Sequence, residues 1–243
     1  MGANQAGVVA ARRPRWRAYL LLSRISNLPT VWSNVIAGAS LAGAVLTVAP
    51  VVRIAAAASL LYTAGMFLND ACDEGFDRLH RADRPLPSGD VTLGEVFSAG
   101  IILLALGELA VASISMAALP WALALGAAIV YYSYRHKKNP LGPVVMGACR
   151  GLVYAVAAVA VGRWVTPAVV VGALLLMLYV AGLTQVAKRI GQRAGAVMPL
   201  LIAGISLVDA LLILGAGGSA ALATVAAGGF VLTLVLQRVV PGT

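Results

Sequence analysis

The chain has 243 residues, 60% of them hydrophobic and only 11% charged, with a formal net charge of +9. Soluble domains are nearer ~45–50% apolar, so this composition excludes one and points to a polytopic helical membrane protein. Its cations gather beside apolar runs, so the positive balance reads as membrane topology, and no nucleic-acid partner is expected.

Residues 1–17 form a basic segment, expected on the cytoplasmic side. It runs into an apolar stretch too long for a signal-peptide core, so the first span is expected to stay as an anchor helix. Crossing hydrocarbon takes about 20 apolar residues. Eight such runs can be placed, near 18–46, 51–74, 91–112, 118–134, 140–161, 166–187, 196–215 and 219–238. Nine is the alternative count, because the third, seventh and eighth runs are weakly punctuated. The expected fold is all-α: one integral-membrane domain over 1–243, a transmembrane bundle of about eight helices.

Charge between the runs orients the bundle. Arg12, Arg13, Arg15, Arg17 and Arg24 flank the start of span one, Arg78, Arg81 and Arg84 follow span two, and Arg135, Lys137 and Lys138 follow span four. Lys188, Arg189 and Arg193 follow span six, and Arg238 ends span eight, whereas the opposite loops hold only Arg53 and Arg163. Both termini are therefore expected at the cytoplasmic face of a plasma (inner) membrane, in agreement with an even span count. Glycine and alanine within the spans fit close helix contact. Cys72 and Cys149 stand at no metal-ligand spacing and are expected as small buried packing residues. Tyr131, Tyr132 and Tyr134 read either as an interfacial belt or as the wall of a site that steadies a developing cation.

The most informative element ends span two. Asn69-Asp70-Ala71-Cys72-Asp73-Glu74-Gly75-Phe76-Asp77 holds four of the chain's nine acids. On a helix, Asp70, Asp73 and Asp77 share one face, and stacked like charges at a membrane boundary call for a cation. Mg²⁺ bridging to a substrate phosphate suits it, since that ion uses one or two carboxylates and takes its other oxygens from phosphate and water. A structural ion-pair network with nearby arginines is the alternative. In the following segment Arg84-Pro85-Leu86-Pro87-Ser88-Gly89, the prolines end helical geometry and the glycine permits a tight turn. Asp90 or Thr92 is placed to cap the next helix.

The pattern N-D-x-x-D-x-x-x-D followed by R-P-L-P-S-G resembles the first signature of the UbiA-type intramembrane prenyltransferases. Its loop spacing is most similar to the branch that makes archaeal ether lipids or attaches chlorophyll's tail. Arg24-Ile25-Ser26-Asn27-Leu28-Pro29 and Asn34 are similar to the family's first helix. Tyr132-Ser133 with Lys137 and Lys138, then Gly147-Ala148-Cys149-Arg150-Gly151, are similar to its fourth and fifth. The resemblance implies a UbiA-like bundle open laterally to membrane lipids, and Mg²⁺-dependent transfer of an isoprenoid chain from a prenyl diphosphate to an aromatic, small-molecule or lipid acceptor. It implies Asp70, Asp73 and Asp77 as metal ligands and catalytic groups, Asn69 as an orienting group, and Arg78, Arg84, Lys137 and Lys138 as diphosphate partners. Arg24, Asn34 and Arg150 join the substrate-binding set. Arg150 lies about ten residues into its span and is read either as a cavity residue or as a packing partner of Asp209 or Glu108. Asn34 is open between cavity and interhelical packing.

The resemblance breaks at the end of span six. Family members carry a second aspartate motif there, whereas this chain reads Leu183-Thr184-Gln185-Val186-Ala187-Lys188-Arg189-Ile190-Gly191-Gln192-Arg193, and after Glu108 its one acid is Asp209. In this respect it is similar to the EboC-like UbiA homologues. Lys188 or Arg189 is the expected substitute for the missing second metal. The alternative function is a non-catalytic isoprenoid-lipid binding or transport component.

Overall fold

A computed structural model describes residues 13–135, 139–162, 164–190 and 194–242, without side-chain detail at 188, 190 and 194–196. Nine α-helices are described: α1 (Arg15–Ser23), α2 (Leu28–Leu41), α3 (Val48–His80), α4 (Leu93–Ile114), α5 (Leu119–Arg135), α6 (Gly142–Ala157), α7 (Pro167–Ile190), α8 (Ala194–Gly215) and α9 (Ala220–Gln237). Seven of the described elements are long and apolar enough to cross a bilayer, beginning with α3. The protein is a multi-pass membrane protein. Exposed Ile102, Leu109, Leu178, Leu211 and Val231 cover the outer faces of α4, α7, α8 and α9. Such side chains are stable facing lipid, where helices satisfy every backbone polar group internally.

The first expected span, 18–46, is not one helix. It breaks at Arg24, which has φ 45° and ψ 44°, the one non-glycine residue with positive φ among those described. A 3-10 turn, Ile25–Asn27, then leads into α2, where Pro29 occupies the first turn that tolerates it. Left-handed geometry at a side-chain-bearing residue costs roughly 1–3 kcal/mol and persists where surrounding contacts over-determine it. α2 is consequently only 14 residues long, but it is the axis of the bundle. Its Val31, Val35 and Ala39 pack into a core shared with α3, α5 and α6. Ala37 and Leu41 pack into a second core shared with α6, α7, α8 and α9.

Helix α3 has 33 residues and is therefore about 50 Å long, well beyond the ~30 Å hydrocarbon layer. Asp70 stands about 33 Å from its start, where an apolar helix emerges from that layer. The helix continues to His80, two turns past the expected end of span two, so the acid motif lies wholly on it. Cys72 is on the outward side of this segment and is exposed, not buried as expected; the inward side is taken by the aspartates. The segment after α3 folds back: Leu86 and Val91 bury against Ala18 and Leu22 of α1, Phe67 and Ala71 of α3, and Val96 of α4. Thr92, not Asp90, caps α4, in a reciprocal pair with Glu95. Asp90 instead accepts hydrogen bonds from the Arg13 backbone N–H and the Ser88 hydroxyl.

The end of α9 returns to the start of α2. Asn27 Nδ2 donates to the Gly242 carbonyl and Gln237 Nε2 donates to Asn27 Oδ1, both at 2.9 Å. The acid motif, the α1–α2 break and the segment after α9 thus share one end of the bundle.

Candidate active site

At that end lies a cavity of about 800 Å³. Asn69, Asp70 and Asp73 of α3 line it, with Arg24 at the helix break, Arg81 and Arg84 from the folded-back segment, and Arg150 from α6. An apolar pocket of about 80 Å³ adjoins it, among α2, α3, α5 and α6. The two share Tyr62, Met66, Tyr132, Met146 and Arg150 as common wall. A ligand with a charged head and a hydrocarbon tail therefore has somewhere to place each half.

Asp70, Asp73 and Asp77 are all nearly buried, at 6%, 7% and 2% exposure, which confirms that one helix face carries the three. They are not equivalent, however. Asp70 accepts from Arg24 Nη2 at 2.8 Å, and Arg84 Nη1 spans Asp70 at 3.4 Å and Asp77 at 2.8 Å. Asp77 does not line the cavity; it stands behind Asp70 and holds Arg84. The strained turn at Arg24 and the buried anchors Leu86 and Val91 are what bring these two guanidiniums onto the acid face. Asn69 Oδ1 and Asp77 Oδ1 are buried acceptors with no hydrogen-bond donor. Among the described residues no three His, Cys, Asp or Glu side chains are already gathered as a metal cluster. Two carboxylates at the cavity wall, beside an Asn oxygen awaiting a partner, match an ion that completes its shell with phosphate and water.

Other expected site residues separate. Arg78 is exposed and pairs with Glu74 on its own helix, away from the cavity, because a single residue past Asp77 is a rotation of about 100° off the acid face. Arg150 does face the cavity, its guanidinium 5.6 Å from the Tyr62 ring centroid, and its Nη1 donates to Asn34 Oδ1 at 2.9 Å. Asn34 is fully buried behind that wall and bonds Asp209, so it does not line the cavity. Glu108 is elsewhere, on α4 against Gly126 of α5. Of the three tyrosines, only Tyr132 enters the shared wall; Tyr131 and Tyr134 are exposed, as an interfacial belt would be. Lys137, Lys138, Arg163 and Arg193 lie outside the described residues, as does the side chain of Lys188. Arg189 is exposed and lines no part of the cavity. On this wall α7 presents Val180, Leu183, Thr184 and Ala187, all uncharged. Among the described residues, the cationic groups at this cavity come from Arg13 before α1, the α1–α2 break, the α3–α4 segment and α6.

Sequence reasoning passed over Tyr62, Met66, Met146 and Arg13, which also line the cavity. Tyr62 lies two helical turns before Asp70 on α3, so its place on the acid face was readable from spacing.

The model of the UbiA prenyltransferase family matches residues 28–242. The chain belongs to that family. Among UbiA relatives, the digeranylgeranylglyceryl phosphate synthase of Methanopyrus kandleri is 34% identical over 173 residues, covering 70% of this chain and 61% of the relative. The synthase of the same name from Ignicoccus hospitalis is 36% identical over 125 residues, covering 51% of this chain and 41% of the relative. The matches thus span less than two thirds of these relatives' length. The UbiA fold is shared with a UbiA homologue from Aeropyrum pernix K1 at a TM-score of 0.62 and 22% identity, covering 86% of this chain and 94% of that one. A UbiA homologue from Archaeoglobus fulgidus, bound to GPP and Mg²⁺, also has a TM-score of 0.62, at 17% identity, covering 91% of this chain and 86% of that one.

Proposed function

We propose that this protein transfers an isoprenoid chain from a prenyl diphosphate to a lipid or aromatic acceptor within the membrane, with Mg²⁺ at the acid face. The observation that carries the reading is the shared wall between the charged cavity and the apolar pocket, with Arg150 and Tyr132 at their junction. Asp70 and Asp73 would hold the metal, with Asn69 beside them, and a bound Mg²⁺ supplies neutralisation of the leaving diphosphate. Arg24 and Arg84, fixed by Asp70 and Asp77, present further charge to the same oxygens, and such preorganised electrostatics is the largest single contribution in reactions of this kind. The apolar pocket keeps water from the tail, and the faces of Tyr62 and Tyr132 flank the carbon from which diphosphate departs. The relatives' name specifies a product with geranylgeranyl chains on glyceryl phosphate, which favours a glycerol-lipid acceptor over an aromatic one. Arg81, at the cavity wall, is placed to receive its phosphate. The distribution of Lys and Arg supports a cytoplasmic cavity mouth and cytoplasmic termini.

A second reading, isoprenoid-lipid binding without turnover, is favoured by the acid-free sequence from Leu183 to Arg193 at the end of α7, where family members carry a second aspartate motif. One experiment separates the two: purified protein is incubated in detergent with Mg²⁺, geranylgeranyl diphosphate and a geranylgeranylglyceryl phosphate acceptor. Diphosphate release with a product heavier than the acceptor by one geranylgeranyl group in place of the hydroxyl hydrogen supports transfer. Saturable Mg²⁺-dependent binding with neither product nor release supports the second reading, and absence of binding rejects both.

A further inference from the structure

Asp209 is fully buried in α8, yet nothing in the proposed reaction uses it. Its carboxylate collects donors from two other helices, α2 and α6. Ser33 Oγ donates to Oδ2 at 2.5 Å, Asn34 Nδ2 donates to both oxygens at 3.1 and 2.8 Å, and the Tyr154 hydroxyl donates to Oδ1. Ser33 is in turn within 3.0 Å of the Ser206 hydroxyl.

A carboxylate only accepts and a guanidinium only donates, while the amide of Asn34 does one at each end. Lying between Asp209 and Arg150, Asn34 has a single orientation that pairs every group: its NH₂ toward Asp209 and its oxygen toward Arg150. The helices supply the register. A Cβ on Gly38 would stand 2.6 Å from Tyr154 Cα, so α2 and α6 touch backbone to backbone there, and Asn34 and Arg150 each lie four residues earlier on the same two helices. Arg150 then reaches the junction of cavity and pocket with one N–H committed to Asn34 and its face over Tyr62.

Resting on the transferase reading, we infer that Asp209 is a positioning residue: through the Asn34 amide it fixes the Arg150 guanidinium at the point where the diphosphate joins its hydrocarbon chain. Asp209 never touches substrate. Its influence passes through one amide whose direction it dictates.

The test measures Mg²⁺-dependent binding of geranylgeranyl thiodiphosphate, a non-reacting probe, to detergent-purified variants. In Asp209→Asn the new NH₂ opposes that of Asn34, and loss of one charged hydrogen bond predicts about 10- to 100-fold weaker binding. Exchanging the pair, Asn34→Asp with Asp209→Asn, restores an acceptor beneath Arg150 and should recover affinity to within about 3-fold. In an Arg150→Gln background, Asp209→Asn should add less than about 2-fold, since residues acting as a unit are non-additive. Wild-type affinity in a folded Asp209→Asn protein overturns the inference. So does an undiminished effect in the Arg150→Gln background, or a folded exchange variant that binds no better than Arg150→Gln. If neither Asp209→Asn nor the exchange variant folds, Asp209 is structural only and the inference fails. A wild-type protein that binds no probe rejects the transferase reading itself, and the positioning role falls with it.

Discussion

Helices α3 and α7 line one cavity, with Lys188 or Arg189 at the end of α7 as the expected cationic answer to the acids of α3. Of the two, only α3 brings described charged side chains to it. Its inward face carries Asn69, Asp70 and Asp73, with Asp70 held by Arg24 and Arg84, whereas the described α7 side chains at the cavity are Val180, Leu183, Thr184 and Ala187. The difference teaches where charge on a polar ligand must be answered. An acid-lined wall suits a metal, and phosphate oxygens that no metal meets call for guanidinium or ammonium groups. Among the described residues, Arg13, Arg81 and Arg150 at the same cavity carry such groups beside the acid-bound Arg24 and Arg84.

The largest expected effect comes from removing charge on the α3 side. Asp73→Asn should lower prenyl transfer by about 10³-fold, the scale of losing a principal electrostatic group, as read by diphosphate release under saturating Mg²⁺. Retained activity would mean that the two walls do not differ in the way proposed. Next, Arg84→Ala leaves Asp70 and Asp77 without their shared partner; a loss of about 10²-fold in rate is expected together with a stability loss of about 3 kcal/mol, visible as a lower detergent melting point.

A sharper test makes α7 resemble α3. Thr184 lines the cavity, so Thr184→Asp should raise the number of Mn²⁺ ions bound with prenyl thiodiphosphate from one to two per chain, counted by electron paramagnetic resonance. Two ions on the unaltered protein would show that the uncharged wall is no barrier to a second metal. Smallest of all, Arg78→Ala and Arg189→Ala should leave the rate within about 2-fold and stability within about 0.5 kcal/mol, because both side chains are exposed and away from the cavity. A large effect of Arg189→Ala alone would return the substitution of charge to α7.

Much was legible without coordinates because hydrocarbon imposes simple rules. Runs of about 20 apolar residues, and cations on one side of them, led to the helical bundle, and helical spacing led to Asp70, Asp73 and Asp77 on one face. What escaped depends on contacts between distant segments. Nothing local in Ser23-Arg24-Ile25 announces a left-handed turn, since that conformation is sustained by Asp70, which lies 46 residues away. Arg78 and Arg84 read alike as basic loop residues, but Arg78 continues α3 outward while Leu86 and Val91 fold Arg84 back over the acids. The buried linkage from Asp209 through Asn34 to Arg150 joins α8, α2 and α6, residues 175 and 116 positions apart. Periodicity along a chain determines which face a side chain shares with its neighbours; only tertiary packing decides which face of another helix it meets, because hydrogen bonds and ion pairs act across a few ångströms of space, whatever the separation in sequence.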